Sequence, residues 1–270
     1  DEKGTFIPPF LADADPWHGE TAADNRYVTL VGDDPMPDMM LGRLAVSTLT
    51  EAEDFIDKII AYESQSGDWQ SQVLAVADEQ ETGDPDFTAI SDALLNDYLP
   101  LSLQAEKVYL GITHETGDLA KQAIMTGIDS GKLFVNYFGH GNTSFWSSEF
   151  ILRNTYLADL ENEGKLSIFL TMTCNNGYYL YPQLGLDYES LAESLTKIPQ
   201  KGAVASWSPT AFGNTNGHNY LLRGFYQAVF DDGIERLGQG TYQGKLNLWA
   251  ASIDFDLLDT FLLFGDPATK

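Results

Sequence analysis

The sequence predicts an α/β fold built on a mostly parallel sheet. Two apolar runs of similar composition, residues 133–138 and 166–173, are followed by Gly139 and by Cys174. Short runs that are rich in β-branched and aromatic residues and end in this way are typical of buried strands. Amphipathic segments such as residues 119–128 separate the runs, and strands that alternate with helices favour parallel pairing.

The beginning of the chain predicts little regular structure. Residues 1–26 are rich in Pro, Gly, Asp and Ala, and they indicate an irregular surface segment. His18 lies in this segment, and we expect it to be structural or incidental. A short strand is predicted over residues 27–31, and a buried strand over residues 72–77.

The charge of the chain limits its partners. The 270 residues include 15 basic and 40 acidic side chains, which gives a net charge of −25. This charge argues against nucleic acid and anionic membrane surfaces as partners. It suits cationic ligands such as calcium or basic peptides, and it is equally compatible with a role in solubility alone.

Apolar segments, the first residue, and the cysteine and histidine content further limit the class of protein. No apolar run has the length that a membrane-spanning helix needs. The chain begins at Asp1 rather than Met, which predicts a processed or truncated start. A single cysteine forms no intrachain disulfide, and the four histidines show no metal-ligand spacing.

A histidine and the single cysteine follow the two apolar runs. His140 comes after residues 133–138, and Cys174 comes directly after residues 166–173. Chemistry in open parallel sheets collects just beyond the carboxyl ends of the strands. We therefore expect His140 and Cys174 at neighbouring strand ends, which is the geometry of a Cys/His nucleophilic site. The alternative is a buried structural cysteine and an uninvolved loop histidine.

The chemistry of such a site explains why each of these residue types is needed. A free thiol titrates near pH ~8.5, so it needs a base at neutral pH, and the imidazole of His140 can supply one. The glycines beside His140 let a substrate backbone come close. The main-chain N–H groups of Gly141 and Cys174 could then bind the oxygen that gains charge. Asp78 ends the strand at residues 72–77, and a carboxylate there could orient the imidazole.

Several motifs together resemble a known family. In chain order they are residues 37–44 (PDMMLGRL), a helix that ends in residues 58–63 (KIIAYE), residues 135–141 (VNYFGHG), residues 168–177 (IFLTMTCNNG), residues 202–206 (GAVAS) and residues 263–267 (LFGDP). On these motifs the chain resembles the gingipain family of cysteine peptidases, whose fold is shared with caspases and legumains. The resemblance implies that Cys174 is the nucleophile, that His140 is the general base and acid, and that Asp78 assists them.

The resemblance also implies an architecture. It predicts a caspase-like three-layer α/β sandwich with a mostly parallel sheet and two packed subdomains. Residues 1–110 would form the N-terminal subdomain, which would lack its natural first strand. Residues 111–270 would form the catalytic subdomain. A sheet edge would then be exposed, or another chain segment would fill it. An immunoglobulin-like domain often follows in such proteins.

Substrate-binding residues are implied in the same way. Asp86 matches the acidic residue that lines the pocket for the side chain before the scissile bond, and Asp84 is a second candidate. A carboxylate in that pocket would favour Arg or Lys. Trp207 and Phe212 are candidates for the aromatic residue that covers the pocket. The alternative for the acidic loop is calcium binding or simple solvation.

These expectations define three functions. The first is a secreted or cell-surface cysteine endopeptidase that cleaves protein or peptide substrates through a thioester and needs no cofactor for its chemistry. The second is a sortase-like transpeptidase of a bacterial surface-secretion system, in which an amine replaces water. The third is a non-enzymatic calcium-binding surface module. Structural calcium is compatible with each of them, although the sequence identifies no metal ligands.

Overall fold

The computed structural model describes residues 6–182, 185 and 188–270. Its strands are β1 (Leu11–Asp15), β2 (Gly19–Ala22), β3 (Gln72–Ala77), β4 (Gln104–Tyr109), β5 (Phe134–Phe138), β6 (Gly141–Asn142), β7 (Phe145–Trp146), β8 (Leu152–Arg153), β9 (Ser167–Met172), β10 (Ala203–Pro209) and β11 (Phe261–Phe264). Its α-helices are α1 (Leu49–Glu63), α2 (Phe87–Tyr98), α3 (Gly117–Ser130), α4 (Leu191–Lys197), α5 (Thr215–Tyr226), α6 (Leu237–Ala251) and α7 (Asp256–Thr260).

A six-stranded sheet forms the centre of the molecule. Its strand order is β11-β10-β9-β5-β3-β4, and every pairing is parallel except that of β10 with β11. This sheet confirms the predicted α/β fold and its mostly parallel strands. β3 pairs with β5, so strands from both sides of the predicted boundary at residue 110 belong to one sheet.

Helices cover both faces of the sheet. Successive side chains of a strand point to opposite faces, and β3 shows this clearly. Val73 and Ala75 belong to the core cluster that includes residues of α2, α5 and α6. Leu74 and Val76 face the other way and pack with Ile124 of α3. The result is the predicted arrangement of three layers around a buried sheet.

Helix α3 shows why these segments become helices. The Thr116 side chain accepts a hydrogen bond from the Leu119 main-chain N–H and so caps the first turn. Ala120, Ile124 and Ile128 are buried at intervals of four residues, which places them on one face. The helix therefore turns one apolar face toward the sheet.

The beginning of the chain differs from the prediction. The expected irregular segment contains the antiparallel hairpin β1–β2, and a 3-10 helix, Asp24–Val28, replaces the strand predicted over residues 27–31. Composition alone missed this structure because contacts from distant parts of the chain stabilise it. The buried Asn25 side chain donates to the carbonyls of Leu258, Asp259 and Phe261.

Within the described residues, no helix is long and apolar enough to cross a membrane.

Candidate active site

His140 and Cys174 lie at the same edge of the sheet. Phe138 of β5 pairs with Met172 of β9, and His140 and Cys174 each follow two residues later. The Gly139 main-chain N–H contacts the Met172 carbonyl at 3.4 Å, so the two chains stay adjacent beyond the paired strands. The register thus brings the histidine and the cysteine to neighbouring strand ends, as the sequence predicts.

The imidazole of His140 has a carboxylate partner. Its Nε2 lies 3.0 Å from Oδ2 of Asp84, and the ring meets Phe87 edge-on at 5.4 Å between centroids. The hydrogen bond to His140 is the main cause that lowers the pKa of Asp84. An ionised carboxylate only accepts hydrogen bonds, so Nε2 carries a proton that faces Asp84. In a neutral imidazole the lone pair is then on Nδ1.

Asp78 supports the same histidine through its main chain. Its Oδ2 accepts hydrogen bonds from the His140 main-chain N–H at 3.1 Å and from the Tyr137 hydroxyl at 3.3 Å. Burial raises the pKa of Asp78, and hydrogen bonds from Ser147, His140 and Glu79 oppose that rise. The hydrogen bond to the imidazole itself, expected from Asp78, is made by Asp84.

The thiol of Cys174 is half-buried beside a carbonyl. Its Sγ lies 3.8 Å from the carbonyl oxygen of Gly213. Burial raises the pKa of the thiol, the hydrogen bond to Gly213 lowers it, and the charge of Asp15 raises it further. A raised pKa keeps the thiol protonated at neutral pH, so the site needs a base before the sulfur can attack.

The main-chain N–H groups of Gly141 and Cys174, which we predicted to bind an oxyanion, are not occupied by other described residues. Residue pairs of an antiparallel hairpin alternate between hydrogen-bonded and non-hydrogen-bonded pairs. The Ser147 N–H donates to the His140 carbonyl at 2.8 Å, so the adjacent pair, Gly141 with Trp146, is a non-hydrogen-bonded pair. The N–H of Gly141 therefore points away from its partner strand. In the part of the chain that the structure describes, the Cys174 N–H has no acceptor either.

Gly141 is packed tightly against Thr173, the residue before Cys174. A Cβ placed on Gly141 would lie 2.5 Å from Oγ1 of Thr173 and 3.0 Å from the carbonyl oxygen of Phe145. Real Cβ atoms do not approach other atoms so closely, so this position requires glycine. The close contact brings the chain after His140 directly onto the chain before Cys174.

The loop after β10 lies between Cys174 and the N-terminal hairpin and contacts both. The carbonyls of Ala211 and Gly213 face the Cys174 side, where they accept from the Asn175 N–H and the thiol. Thr210 faces the hairpin, where its Oγ1 donates to the Ala22 carbonyl at 2.6 Å. The hairpin is therefore a wall of the site, and composition gave no signal for that role.

The aromatic candidates for substrate binding occupy different environments. Phe212 is 37% exposed, and its ring lies 4.7 Å from the His18 ring at the tip of the hairpin. Trp207 is 1% exposed, and its ring packs against Phe225 and Phe261 in the core. Phe212 is thus accessible from solvent, whereas Trp207 is buried in the core.

Asp86 lies at the start of a helix. Its side chain caps α2 by accepting from the Ala89 N–H at 2.9 Å, and it also accepts from the Thr88 hydroxyl. The hydrogen bond from Ala89 is the main cause that lowers the pKa of Asp86. The exposed carboxylate is therefore ionised and available to a cation, although it does not contact Cys174 or His140.

The sequence did not predict the contacts of three residues near the site, although Tyr137 and Asn176 belong to the motifs that carry the family resemblance. Asn176 binds the hairpin after His140 through its side chain, and Trp146 and Tyr137 connect that hairpin to the sheet. Their signal was weak, because an Asn before Gly in a loop and aromatic residues in apolar runs are common features of turns and cores. No group of three or more metal-binding side chains is found among the described residues, and calcium stays a prediction.

An α/β sheet that presents a thiol, an imidazole and free main-chain N–H groups at one edge defines a cysteine-nucleophile site. The model of Peptidase family C25 matches residues 1–270. The chain belongs to Peptidase family C25, and the predicted relationship to gingipains is confirmed.

Two curated relatives come from Porphyromonas gingivalis. Gingipain R2 is 23% identical over 262 residues, which cover 91% of this chain and 34% of the relative. Lys-gingipain is 24% identical over 280 residues, which cover 97% of this chain and 15% of the relative. The chain therefore spans about a third or less of the length of these relatives.

Solved structures support the fold. The crystal structure of the Arg-specific cysteine proteinase gingipain R superposes with a TM-score of 0.80 at 21% identity, covering 97% of this chain and 61% of that chain. The complex of the Porphyromonas gingivalis RgpB pro- and mature domains gives a TM-score of 0.77 at 21% identity, covering 98% and 62%. These likenesses confirm the caspase-like α/β architecture.

Proposed function

We propose that this protein is a cysteine endopeptidase in which Cys174 is the nucleophile and His140 is the general base and acid. The observation that carries the proposal is the register of β5 and β9, which places both residues beyond the paired Phe138 and Met172 at one sheet edge. Membership of Peptidase family C25 supports the same activity.

The first half of the reaction forms a thioester. The Cys174 thiol breaks its hydrogen bond to the Gly213 carbonyl and forms one to Nδ1 of His140. It then gives its proton to that nitrogen. The sulfur then bonds to the peptide carbonyl carbon, and the oxygen takes the electron pair of the double bond. The N–H groups of Gly141 and Cys174 bind this oxyanion. The carbon–nitrogen bond breaks as His140 returns the proton to the leaving amine.

The second half releases the acid product. Nδ1 of His140 takes a proton from water, and the hydroxide oxygen bonds to the thioester carbon. The resulting oxyanion binds the same two N–H groups. The carbon–sulfur bond then breaks, and the proton on His140 returns to the sulfur. Asp84 stabilises the imidazolium in both halves because its carboxylate faces Nε2.

The substrate we propose has Arg or Lys before the scissile bond. Asp86 is ionised and exposed, and an ionised carboxylate can pair with a guanidinium or an ammonium group. Phe212 is the aromatic residue open to such a side chain, because Trp207 would have to leave the core to take part. Two relatives are named Gingipain R2 and Lys-gingipain, and a similar structure is described as Arg-specific.

Matched peptides test the activity and the specificity together. Wild-type protein is expected to cleave peptides with Arg or Lys and to spare the peptide with citrulline, which has the shape of Arg without its charge. C174A is expected to lose turnover and labelling by a peptidyl thiol-directed inhibitor. Unchanged cleavage by C174A would refute the assignment of the nucleophile.

A conservative variant tests Asp86 separately. D86N keeps an N-capping side chain on α2 and removes only the charge, so stability should change little. We expect a selective rise of KM for Arg and Lys peptides. If D86N prefers Arg and Lys peptides over the citrulline peptide as strongly as wild type does, Asp86 does not line the substrate pocket.

We further propose that the peptidase acts outside the cell or at its surface and that an additional chain segment accompanies it. The family resemblance supports the location, and the complex of RgpB pro- and mature domains supports the segment. Peptidase assays on culture medium, cell surface and lysate of the producing organism test the location. Activity confined to the lysate would contradict it.

A further inference from the structure

The short hairpin after His140 is held by one side chain from the cysteine loop. The hairpin consists of β6 and β7, and Gly141 is its first residue. Asn176 lies two residues after Cys174 and is 0% exposed. Its amide nitrogen donates to the carbonyls of Asn142 and Phe145, one on each strand of the hairpin.

The same side chain binds the hairpin at a third point. Oδ1 of Asn176 accepts a hydrogen bond from the indole Nε1 of Trp146 at 2.5 Å. Both amide hydrogens and the amide oxygen are thereby used, and each partner belongs to the hairpin. Such a three-point attachment fixes both the position and the orientation of the hairpin relative to the cysteine loop.

The attachment continues to His140. The buried Trp146 ring stacks on the Tyr137 ring, with 4.3 Å between centroids and an interplanar angle of 8°. The Tyr137 hydroxyl donates to the His140 carbonyl at 2.5 Å. Contacts therefore run from the buried Asn176 through the buried Trp146 and Tyr137 to the main-chain carbonyl of the exposed His140.

We propose that Asn176 is a positioning residue that fixes the Gly141 N–H relative to the Cys174 sulfur. The inference rests on the proposed function and deepens it. The oxyanion forms on the carbon that bonds to sulfur, so its N–H donors must keep a set distance from the nucleophile. Asn176 joins the segment that carries one donor to the segment that carries the sulfur.

The test compares two reactions of the same thiol. Peptide cleavage forms an oxyanion, whereas alkylation of Cys174 by iodoacetamide displaces iodide and forms none. Loss of one oxyanion donor typically lowers the rate about 10²–10³-fold. N176L has a side chain of similar size that makes none of the three hydrogen bonds. We expect its kcat/KM for peptides to fall by about 10²-fold, as for a lost oxyanion donor. The plateau rate of alkylation at high pH should stay close to that of wild type.

A second variant perturbs the same attachment at its other end. W146F keeps a six-membered aromatic ring beside Tyr137 but loses the pyrrole ring with the N–H that binds Asn176, so its melting temperature is measured together with both rates. It should show a smaller but still selective loss of peptide cleavage relative to alkylation. A ratio of cleavage to alkylation equal to that of wild type in W146F would overturn the proposal.

The matched control is another buried asparagine. Asn162 is 0% exposed, and its side chain binds the main-chain N–H and carbonyl of Gly202 at the opposite end of the sheet. N162L should lower the melting temperature without changing the ratio of cleavage to alkylation. A similar ratio change in N162L would mean that any loss of a buried asparagine impairs cleavage, and it would overturn the positioning role. Wild-type protein that cleaves no peptide would instead refute the proposed function.

Discussion

Nε2 of His140 lies 3.0 Å from Oδ2 of Asp84, a residue in the loop that follows β3. This contact assigns the proton to Nε2 and leaves Nδ1 as the base, because an ionised carboxylate only accepts. Asp78, which we expected beside the ring, supports the His140 main chain instead. Substitutions of Asp84 and of Asp78 should therefore change activity and stability in different ways.

The first prediction concerns Asp84. D84N removes the charge that stabilises the imidazolium and lets the ring adopt the other tautomer. We expect kcat to fall by roughly 10²-fold, toward the lower end of what general acid–base catalysis contributes. The melting temperature should change little, because the carboxylate lies in a loop at the surface. Steady-state kinetics and thermal unfolding check both expectations.

Asp78 serves as the contrast. D78N alters a carboxylate that is 3% exposed and binds main-chain and hydroxyl groups. It should lower the melting temperature together with activity. A loss of activity in D78N without loss of stability, combined with normal activity in D84N, would assign the catalytic carboxylate to Asp78.

The second prediction concerns pH. Burial is the main cause that raises the pKa of Cys174, and the negative charge of Asp15 raises it further because it disfavours the thiolate. D15N removes this charge, so the thiolate should form at lower pH than in wild type. The rate of alkylation by iodoacetamide should accordingly rise at lower pH. D13N, which changes an exposed carboxylate on the same strand, should leave the profile unchanged. A shift toward higher pH in D15N would contradict the electrostatic explanation.

The third prediction concerns the contact between the two loops. G141A places a Cβ against Oγ1 of Thr173 and the carbonyl of Phe145, so the loops must separate. We expect peptide turnover to fall by about 10²-fold, since one oxyanion donor moves away. T173A removes the nearest clash, and in the G141A background it should restore part of the turnover. No recovery in the double variant would show that the Thr173 contact is not the cause.

The fourth prediction concerns stability. The buried Lys58 donates to the carbonyls of Leu195, Thr196 and Ile198 at the end of α4. K58M leaves these acceptors without that partner, which should cost roughly 1–3 kcal/mol in the free energy of unfolding. K107M, at an exposed ion pair with Asp92, should cost less. Chemical denaturation of both variants measures the difference.

A strand could be predicted from the sequence where its residues have the composition of a buried strand and are buried in the structure. The run over residues 72–77 has the composition of a buried strand, and it becomes β3. The hairpin β1–β2 could not be predicted in this way, because its stability depends on distant partners. Thr21 and Thr210, for example, lie 189 residues apart and contact through the Thr21 hydroxyl and the Thr210 carbonyl.

The site was predictable to the extent that it follows strand ends. His140 and Cys174 could be placed together because parallel strands end at one edge. The partner of the imidazole could not be placed, because the path of the loop after β3 decides whether Asp78 or Asp84 reaches the ring. The contacts of Asn176 could not be predicted either, since its three partners are groups of a hairpin that sequence patterns did not predict.

The contacts of Asn25 have a consequence for biosynthesis. Its side chain binds carbonyls between residues 258 and 261, so these three contacts form only after that segment has been synthesised. Thr210 supplies earlier contacts to the hairpin that carries Asp15. The full set of contacts that holds the beginning of the chain beside Cys174 is therefore completed only after residue 261 has left the ribosome.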